Sequence, residues 1–307
     1  MTDPTGSPPS GAPMTPLLEV RHLVKHFVQR QSLWRPPSVV KAVDDVSFSI
    51  QEGEMFGLVG ESGSGKSTTG RCILRLIEPS SGEVLFRGEN VLTHSRSRMR
   101  QARRHMQIVF QDPYSSLNPR MRAGDIVEEP LIIHASGSKS ERLARVGELF
   151  ALVGLDREHR ARYPHEFSGG QRQRIGIARA LALNPAFIIA DEAVSALDVS
   201  IQAQIVSLMM ELKVRLRLTF LFIAHDLRLV EHICNRVAVM YLGRIVEMGD
   251  TKPLFANPTH PYTRALLSAV PVLDPDAPRR RVTLDPAAFD RDAPLKEIGP
   301  MHWAAVS

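Results

Sequence analysis

Residues 60–67, with the sequence GESGSGKS, constrain the fold of this chain more than any other stretch. They fit the pattern G-x-x-x-x-G-K-[ST], which needs a strand before it and a helix after it. An apolar run over 55–59 leads in, and a helix-like run over 68–77 leads out. The alternative is a glycine-rich turn followed by Lys and Ser by chance. The flanking strand and helix favour a phosphate-binding loop in an α/β fold.

The chemistry of this phosphate loop follows from its residue types. Glycines let consecutive backbone N–H groups point into one concavity, and the helix N-terminus adds further N–H groups and its dipole. Lys66 would place its charge at the β- and γ-phosphates, and the Ser67 hydroxyl would ligate Mg²⁺. The expected nucleotide-binding set is Gly60, Glu61, Ser62, Gly63, Ser64, Gly65, Lys66, Ser67 and Thr68.

Length, charge and cysteine content narrow the class of protein. A chain of 307 residues is one large domain, or one domain with an appendage. Its net charge of +5 permits contact with nucleic acid or an anionic membrane but requires neither. Cys72 and Cys234 are too few for a disulfide framework or a cysteine-built metal site, and they favour a reducing cytosol. We find no secretion signal and no apolar run long enough to span a bilayer, so other chains would do any spanning.

The N-terminal part of the chain predicts a tail and a small sheet. Residues 1–16, rich in Pro, Gly, Ser and Thr, are expected to form a disordered tail. Short strand-like stretches follow at 17–28, 39–40, 46–50 and 82–88. They predict a small antiparallel sheet ahead of and beside the phosphate loop.

The rest of the chain predicts a mainly parallel sheet with a helical insertion. Apolar strands at 106–110, 186–190 and 219–223 alternate with helical patterns. Between the first two, about 113–182 reads as helical, with one apolar helix face formed by Leu143, Val146, Leu149 and Val153. A hairpin is predicted over 237–247. From 255 onward prolines accumulate, and this segment is expected to be loosely structured or packed over the core.

Polar residues follow the predicted parallel strands at the point where each strand ends. Ligands bind outside the carboxyl ends of strands in such sheets. Gln111, Asp191 and His225 each come directly after or at the end of an apolar strand. Asp191 can hold Mg²⁺ beside Ser67, and Gln111 can reach the metal or a water as a neutral amide. The plainer alternative for Gln111 is an amide that satisfies backbone groups at a strand end.

Glu192 and His225 are the candidate catalytic residues. Glu192 could orient or deprotonate the attacking water, an effect of roughly 10²–10⁴-fold in rate. His225 could contact the γ-phosphate or hold the water. The alternatives are a solvated Asp-Glu pair that opens a turn and a histidine satisfied in the core. Their place at strand ends beside a phosphate loop favours the catalytic interpretation.

A second anion site is predicted at the start of a later helix. Ser168, Gly169 and Gly170 precede a helix that is expected to run from Gln171 to about Leu183. Free N–H groups at a helix N-terminus attract anions. Physical reasoning leaves open whether this site faces the same nucleotide, another nucleotide or solvent.

Taken in order, these motifs resemble those of ABC-type ATPases over roughly residues 17–250. The resemblance implies a P-loop NTPase with a RecA-like, mainly parallel sheet, an antiparallel β subdomain and an inserted α-helical subdomain. It also implies a head-to-tail dimer, in which Ser168 to Gln171 of one chain bind the nucleotide held by the other chain's phosphate loop. Asp198 would contact the opposite phosphate loop. Phe27 would stack on adenine, although a lone aromatic in a strand is equally a packing residue.

Within that family the chain is similar to ATPase subunits of oligopeptide/dipeptide importers, through the stretches 57–63, 110–120 and 257–263. The loop at 29–38 is similar to that of the second of the two ATPases such systems often carry. The domains implied are an ABC ATPase domain at 17–254, with its helical subdomain at about 113–182, and an importer-type C-terminal extension at 255–307. Two departures stand out: Ala193 replaces the usual Pro, and no cysteine follows Cys234, so no iron–sulfur cluster is expected.

The resemblance implies a subunit that binds ATP and Mg²⁺ and hydrolyses ATP to power import of peptides or related small solutes. It would lie peripherally on the cytoplasmic face of the membrane. Its partners would be transmembrane permease subunits, a second ATPase subunit of the same or a different kind and, indirectly, an extracytoplasmic solute-binding protein. The identity of the solute stays open.

Two other functions fit the motifs less well than importer activity. A soluble ABC-type ATPase acting on nucleic acid typically has two cassettes or a long coiled coil. This chain has one cassette, and the segment between Gln111 and Ser168 lacks sustained heptads, so no nucleic-acid partner is expected. A nucleotide-binding regulator with little hydrolysis is disfavoured by Asp191, Glu192 and His225.

Overall fold

The computed structural model describes residues 15–29, 38–112, 114–269, 282–285, 289–291 and 293–306. The expected tail lies outside these ranges up to position 14, and the loop at 29–38 lies outside them from 30 to 37. In chain order, the strands are β1 (Leu18–Gln29), β2 (Ser38–Ile50), β3 (Met55–Val59), β4 (Ser81–Phe86), β5 (Glu89–Asn90), β6 (Met106–Val109), β7 (Phe187–Asp191), β8 (Thr219–Ala224), β9 (Arg236–Tyr241), β10 (Arg244–Asp250), β11 (Leu295–Gly299) and β12 (His302–Ala305). The α-helices are α1 (Lys66–Ile73), α2 (Arg96–Ala102), α3 (Ala123–Ile133), α4 (Lys139–Leu152), α5 (Gly169–Leu181), α6 (Val199–Leu216), α7 (Leu227–Ile233), α8 (Thr251–Ala256) and α9 (Pro261–Ser268).

The smaller sheet has four antiparallel strands in the order β2-β1-β4-β5. The stretches at 39–40 and 46–50 belong to one long strand, β2, which pairs with β1 from Leu18 opposite Ile50 to Gln29 opposite Ser38. Leu18, Val20 and Leu23 of β1 are buried, so this sheet presents an apolar face to the core. The predicted antiparallel subdomain is present.

The larger sheet has eight strands in the order β11-β12-β10-β9-β3-β8-β7-β6. Strands β9, β3, β8, β7 and β6 are parallel, and β10, β12 and β11 continue the sheet as antiparallel strands. Every residue of β3, β7 and β8 is buried, as their continuous apolar runs indicate for strands covered on both faces. Because β3, β8, β7 and β6 are neighbours, the groups that follow them meet at one edge.

The helical stretch between β6 and β7 contains α3, α4 and α5. Ser138 and Glu141 form a capping box that begins α4. Val146, Leu149 and Val153 are buried, as expected, but Leu143 is 43% exposed. Phe150, which is fully buried, lies seven positions after Leu143 on the same helix face, so Leu143 stands at the exposed end of the predicted face. The buried residues of α4 begin only at Val146, so the first two turns of the helix are less covered than the rest.

The C-terminal part of the chain joins the larger sheet. Strand β12 pairs with β10, with Trp303 opposite Met248, and β11 adds to the edge of β12. The fully buried carboxylate of Glu247 lies 2.8 Å from His302 Nε2, which fixes this pairing. For these residues, the expected loose or overlying segment is replaced by two strands of the sheet itself.

Both cysteines are buried. Burial raises the pKa of the Cys72 thiol to about 11, and it raises that of Cys234 as well. Within the ranges that the structure describes, no helix combines the length and the apolar character needed to cross a membrane.

Candidate functional site

The phosphate loop connects β3 to α1, and glycine conformations shape it. Gly60, Gly63 and Gly65 have φ angles of 149°, 82° and 108°, which side chains rarely permit. A Cβ atom at Gly65 would lie 2.1 Å from the Ala42 carbonyl oxygen. Helix α1 begins directly after Gly65 without a side-chain cap, so its first N–H groups are available to an anion.

Lys66 lies inside the loop and is 3% exposed. Its Nζ donates to the carbonyl oxygens of Gly60 and Glu61, both at 2.8 Å, and to Ser64 Oγ at 3.3 Å. Burial lowers the pKa of Lys66, and the carboxylates of Glu192, Asp191 and Glu61 oppose that shift. The loop thus holds a cation at its centre that oxygen atoms surround.

Ser67 and Asp191 bring two oxygen groups together at the ends of neighbouring elements. Ser67 Oγ donates to Asp191 Oδ1 at 2.6 Å, and Asp191 is 2% exposed. Arg71, one turn further along α1, has its Nη2 3.6 Å from Asp191 Oδ2. Mg²⁺ prefers oxygen ligands and is bound by one or two protein groups together with phosphates and water. The hydroxyl and carboxylate fit that requirement.

Glu192 follows β7 with a φ angle of 48°, in the left-handed region. Its N–H donates to the Ile223 carbonyl oxygen of β8 at 3.0 Å. This hydrogen bond holds the backbone at the residue where the extended conformation of β7 ends. Its Oε2 accepts a hydrogen bond from Gln111 Nε2 at 2.7 Å, and His225 Nδ1 lies 3.8 Å from the same oxygen. Three predicted site residues from three strand ends therefore meet at one carboxylate.

A cavity of about 400 Å³ opens between these groups. This volume is within the range of small-molecule sites. The lining residues come from β2, the phosphate loop, the ends of β6 and β7, and the turn after β9: Val40, Lys41, Ala42, Ser62, Gly63, Gly65, Lys66, Ser67, Thr68, Gln111, Glu192 and Leu242.

Other predicted residues lie apart from the cavity lining. Ser168 Oγ accepts from the Gln171 N–H at 3.3 Å, and Gln171 Oε1 accepts from the Ser168 N–H at 3.0 Å, a capping box that begins α5. Neither these residues nor Gly169 and Gly170 line the cavity. Asp198 is exposed just before α6.

Phe27 lies on β1 at the small sheet. It is 37% exposed and sits opposite Val40, which lines the cavity. The Lys25 Nζ lies 4.9 Å from the centre of the Phe27 ring, within the range of a cation–π contact. A partly exposed ring beside the cavity is available for stacking.

Some residues of the site were missed by the sequence prediction. Arg71 lies four positions after Ser67 on one helix face, a spacing that could have identified it. Tyr262 accepts a hydrogen bond from the Glu61 N–H at 3.0 Å. It lies in the stretch 257–263, one of those that carry the family resemblance, but no pattern in the sequence indicates its partner.

Comparison with known proteins identifies the family. Residues 43–195 match the family described as ABC transporter, and residues 246–293 match the oligopeptide/dipeptide transporter C-terminal region. The oligopeptide transport ATP-binding protein OppF of Bacillus subtilis is 56% identical over 295 residues, 94% of this chain and 95% of that protein. The glutathione import ATP-binding protein GsiA of Salmonella typhi is 52% identical over 301 residues, 94% of this chain and 48% of that protein.

A solved structure shares the architecture. It is a dimeric ATP-binding cassette in a post-hydrolysis state, bound to ADP and phosphate, with a TM-score of 0.67 and 29% identity. The likeness covers 76% of this chain and 99% of the cassette. With the loop, the strand-end residues and these relatives together, the chain belongs to the ABC transporter family, as an ATPase of the kind that carries the oligopeptide/dipeptide transporter C-terminal region.

Proposed function

We propose that this chain is the ATP-hydrolysing subunit of an importer for peptides or related small solutes. The observation that carries the ATPase assignment is the meeting of three strand ends around one cavity, with Lys66 and Ser67 after β3, Gln111 after β6 and Glu192 after β7 on its walls. The import of peptides is supported by the match to the transporter C-terminal region and by the relative OppF. None of these findings supports the alternative of an ATPase that acts on nucleic acid.

In the proposed mechanism, the phosphate loop and Lys66 hold the β- and γ-phosphates of ATP. Ser67 and Asp191, and Gln111 through its amide oxygen, would hold Mg²⁺, which neutralises charge on the phosphates. Glu192 orients the attacking water and takes its proton. The Gln111 amide and the His225 ring lie at the Glu192 carboxylate and keep it directed into the cavity. Phe27 stacks on the adenine.

The site is proposed to be complete only in a dimer. Ser168, Gly169, Gly170 and Gln171 are outside the cavity lining of their own chain, and the related cassette is dimeric. In a head-to-tail pair, this segment would close over the γ-phosphate of the second chain, and Asp198 would contact that chain's phosphate loop. The second chain can be a further copy or a different ATPase subunit. ATP binding would close the pair and hydrolysis would reopen it.

The proposed partners follow from this role. Transmembrane permease subunits would take up the motion at the cytoplasmic face of the membrane, and a solute-binding protein would deliver the solute from the other side.

A tagged copy of this chain, purified from detergent-solubilised membranes of its host, is expected to bring down multi-span permease subunits. A strain with Glu192→Gln in place of the native residue is expected to lose uptake of the solute. Recovery of ribosomes or nucleic acid instead of permease subunits would contradict the proposal.

The variant Ser168→Arg tests the shared site directly. We expect it to bind ATP within about threefold of the wild-type affinity, since the phosphate loop belongs to the same chain. Its turnover is expected to fall by at least about 10²-fold, because a transition-state contact from the second chain is lost. Nucleotide titration and phosphate release measure the two effects.

Ser138→Arg is the matched control for this variant. Ser138 is also an exposed N-cap serine with a capping box, at the start of α4. Loss of the cap costs about 1 kcal/mol of stability in either position. If the two variants lose turnover equally, the role assigned to Ser168 is wrong.

A further inference from the structure

Tyr262, in the first turn of α9, joins the C-terminal part of the chain to the phosphate loop. Its hydroxyl oxygen accepts a hydrogen bond from the Glu61 N–H at 3.0 Å. The residue is 1% exposed, and its ring packs against that of Tyr241 with 4.3 Å between the centroids. Burial raises the pKa of Tyr262 to about 12, so the phenol stays neutral at physiological pH. A neutral buried hydroxyl thus reaches the first residues of the loop.

The peptide unit between Gly60 and Glu61 is held at both ends. Its N–H donates to Tyr262, and its carbonyl oxygen accepts from Lys66 Nζ at 2.8 Å. A Cβ atom at Gly60 would lie 2.2 Å from the Met240 carbonyl oxygen, so this peptide also runs closely along β9. Hydrogen bonds at the two ends of one peptide polarise each other. Together they fix the orientation in which β3 passes into the loop.

A buried polar framework holds Tyr262 in turn. Glu247 of β10 is fully buried, and its carboxylate accepts from the N–H groups of Thr259 at 2.8 Å and His260 at 3.0 Å. The Nδ1 atom of His260 accepts from the Tyr262 N–H at 3.1 Å. Burial lowers the pKa of His260, which favours the neutral ring that can accept this bond. The position of Tyr262 is therefore set by the sheet rather than by the loop.

We propose that Tyr262 is a positioning residue for nucleotide binding, which holds the Gly60–Glu61 peptide while the Lys66 ammonium engages the phosphates. The ammonium has three protons, and in this structure they face Gly60 O, Glu61 O and Ser64 Oγ. When Lys66 contacts the β- and γ-phosphates, at least one of its three N–H groups donates to a phosphate oxygen and no longer to an oxygen of the loop. The bond from Glu61 to Tyr262 does not involve Lys66, so it keeps the peptide in place. This inference deepens the proposed function and rests on it for the turnover readout alone.

The test is Tyr262→Phe in the full chain, which removes one oxygen atom and keeps the ring. We expect the Kd for ATP and the KM for ATP to rise roughly five- to tenfold, the effect of about one lost hydrogen bond. The kcat is expected to stay within about twofold, because Glu192 and His225 are untouched. Hydrogen exchange at the Glu61 amide, measured without nucleotide, is expected to become faster.

Tyr241→Phe is the matched control, since it removes the hydroxyl of the neighbouring ring and leaves the acceptor of the Glu61 N–H in place. It is expected to keep wild-type affinity for ATP. An ATP Kd for Tyr262→Phe within about twofold of wild type would overturn the inference, and so would an equal loss in Tyr241→Phe. If the wild-type chain hydrolyses no ATP either as a homodimer or with its second ATPase subunit, the proposed function fails, whereas the Kd and the Glu61 exchange rate still decide this inference.

Discussion

Replacing Glu192 with Gln is expected to lower ATP hydrolysis by roughly 10²–10⁴-fold, which is the contribution typical of a general base. The amide keeps the shape of the side chain but cannot take a proton from water. The φ angle of 48° and the Ile223 contact belong to the backbone, so the substitution leaves the turn intact. ATP affinity is expected to be unchanged or higher, because the substitution removes the negative charge of the Glu192 carboxylate from the neighbourhood of the triphosphate.

Single-turnover phosphate release and equilibrium nucleotide binding separate these two effects. Glu211→Gln makes the same chemical change on the exposed face of α6 and should leave both quantities unaltered. Turnover by Glu192→Gln close to that of the wild type would mean that another group accepts the proton. His225→Ala, in which the ring that lies 3.8 Å from Glu192 is removed, would then identify or exclude the histidine.

The substitution Lys66→Ala is expected to weaken ATP binding by roughly 30-fold or more. Truncation of one partner of a buried charged contact costs about 2–5 kcal/mol, and each 1.4 kcal/mol is about tenfold in affinity. The variant also loses three hydrogen bonds to loop oxygens, so the loop is less well ordered before nucleotide arrives. Both effects act in the same direction.

Isothermal titration with ATP measures the loss. Lys252→Ala removes the same charge from an exposed position at the start of α8, and it is expected to bind ATP as the wild type does. That control separates a specific contact from a general change in the positive field of the protein. An unchanged affinity for Lys66→Ala would refute the assignment of the phosphate loop.

Strands β3, β7 and β8 were predictable from the sequence because their burial is complete. These three strands are covered on both faces, so each is a nearly continuous apolar run. Strand β3 leads into Gly60 of the phosphate loop, whereas β7 ends at Asp191 and β8 is followed by His225. The same logic placed Gln111, Asp191, Glu192 and His225 at one edge. What the pattern could not give is the left-handed φ at Glu192, which decides where its carboxylate lies.

The C-terminal strands and the contact of Tyr262 were not predictable in this way. Strand β11 has no buried residue in its run of five, and its alternation is weak. The Glu61 N–H and the Tyr262 hydroxyl are 201 positions apart in the chain, so no local pattern relates them. Leu143 shows a similar limit of sequence prediction for helices. The periodicity of apolar residues defines one face of the helix, but it does not show how much of that face is covered by neighbouring elements.

The two buried thiols have a practical consequence for experiments on how this ATPase moves. Thiolates are the reactive form, and the raised pKa values of Cys72 and Cys234 keep both residues protonated and slow to react. A cysteine introduced on the surface would therefore be labelled selectively without removal of the native ones. Spin labels or fluorophores placed beside α5 and α1 could then report the distance between two chains during a catalytic cycle.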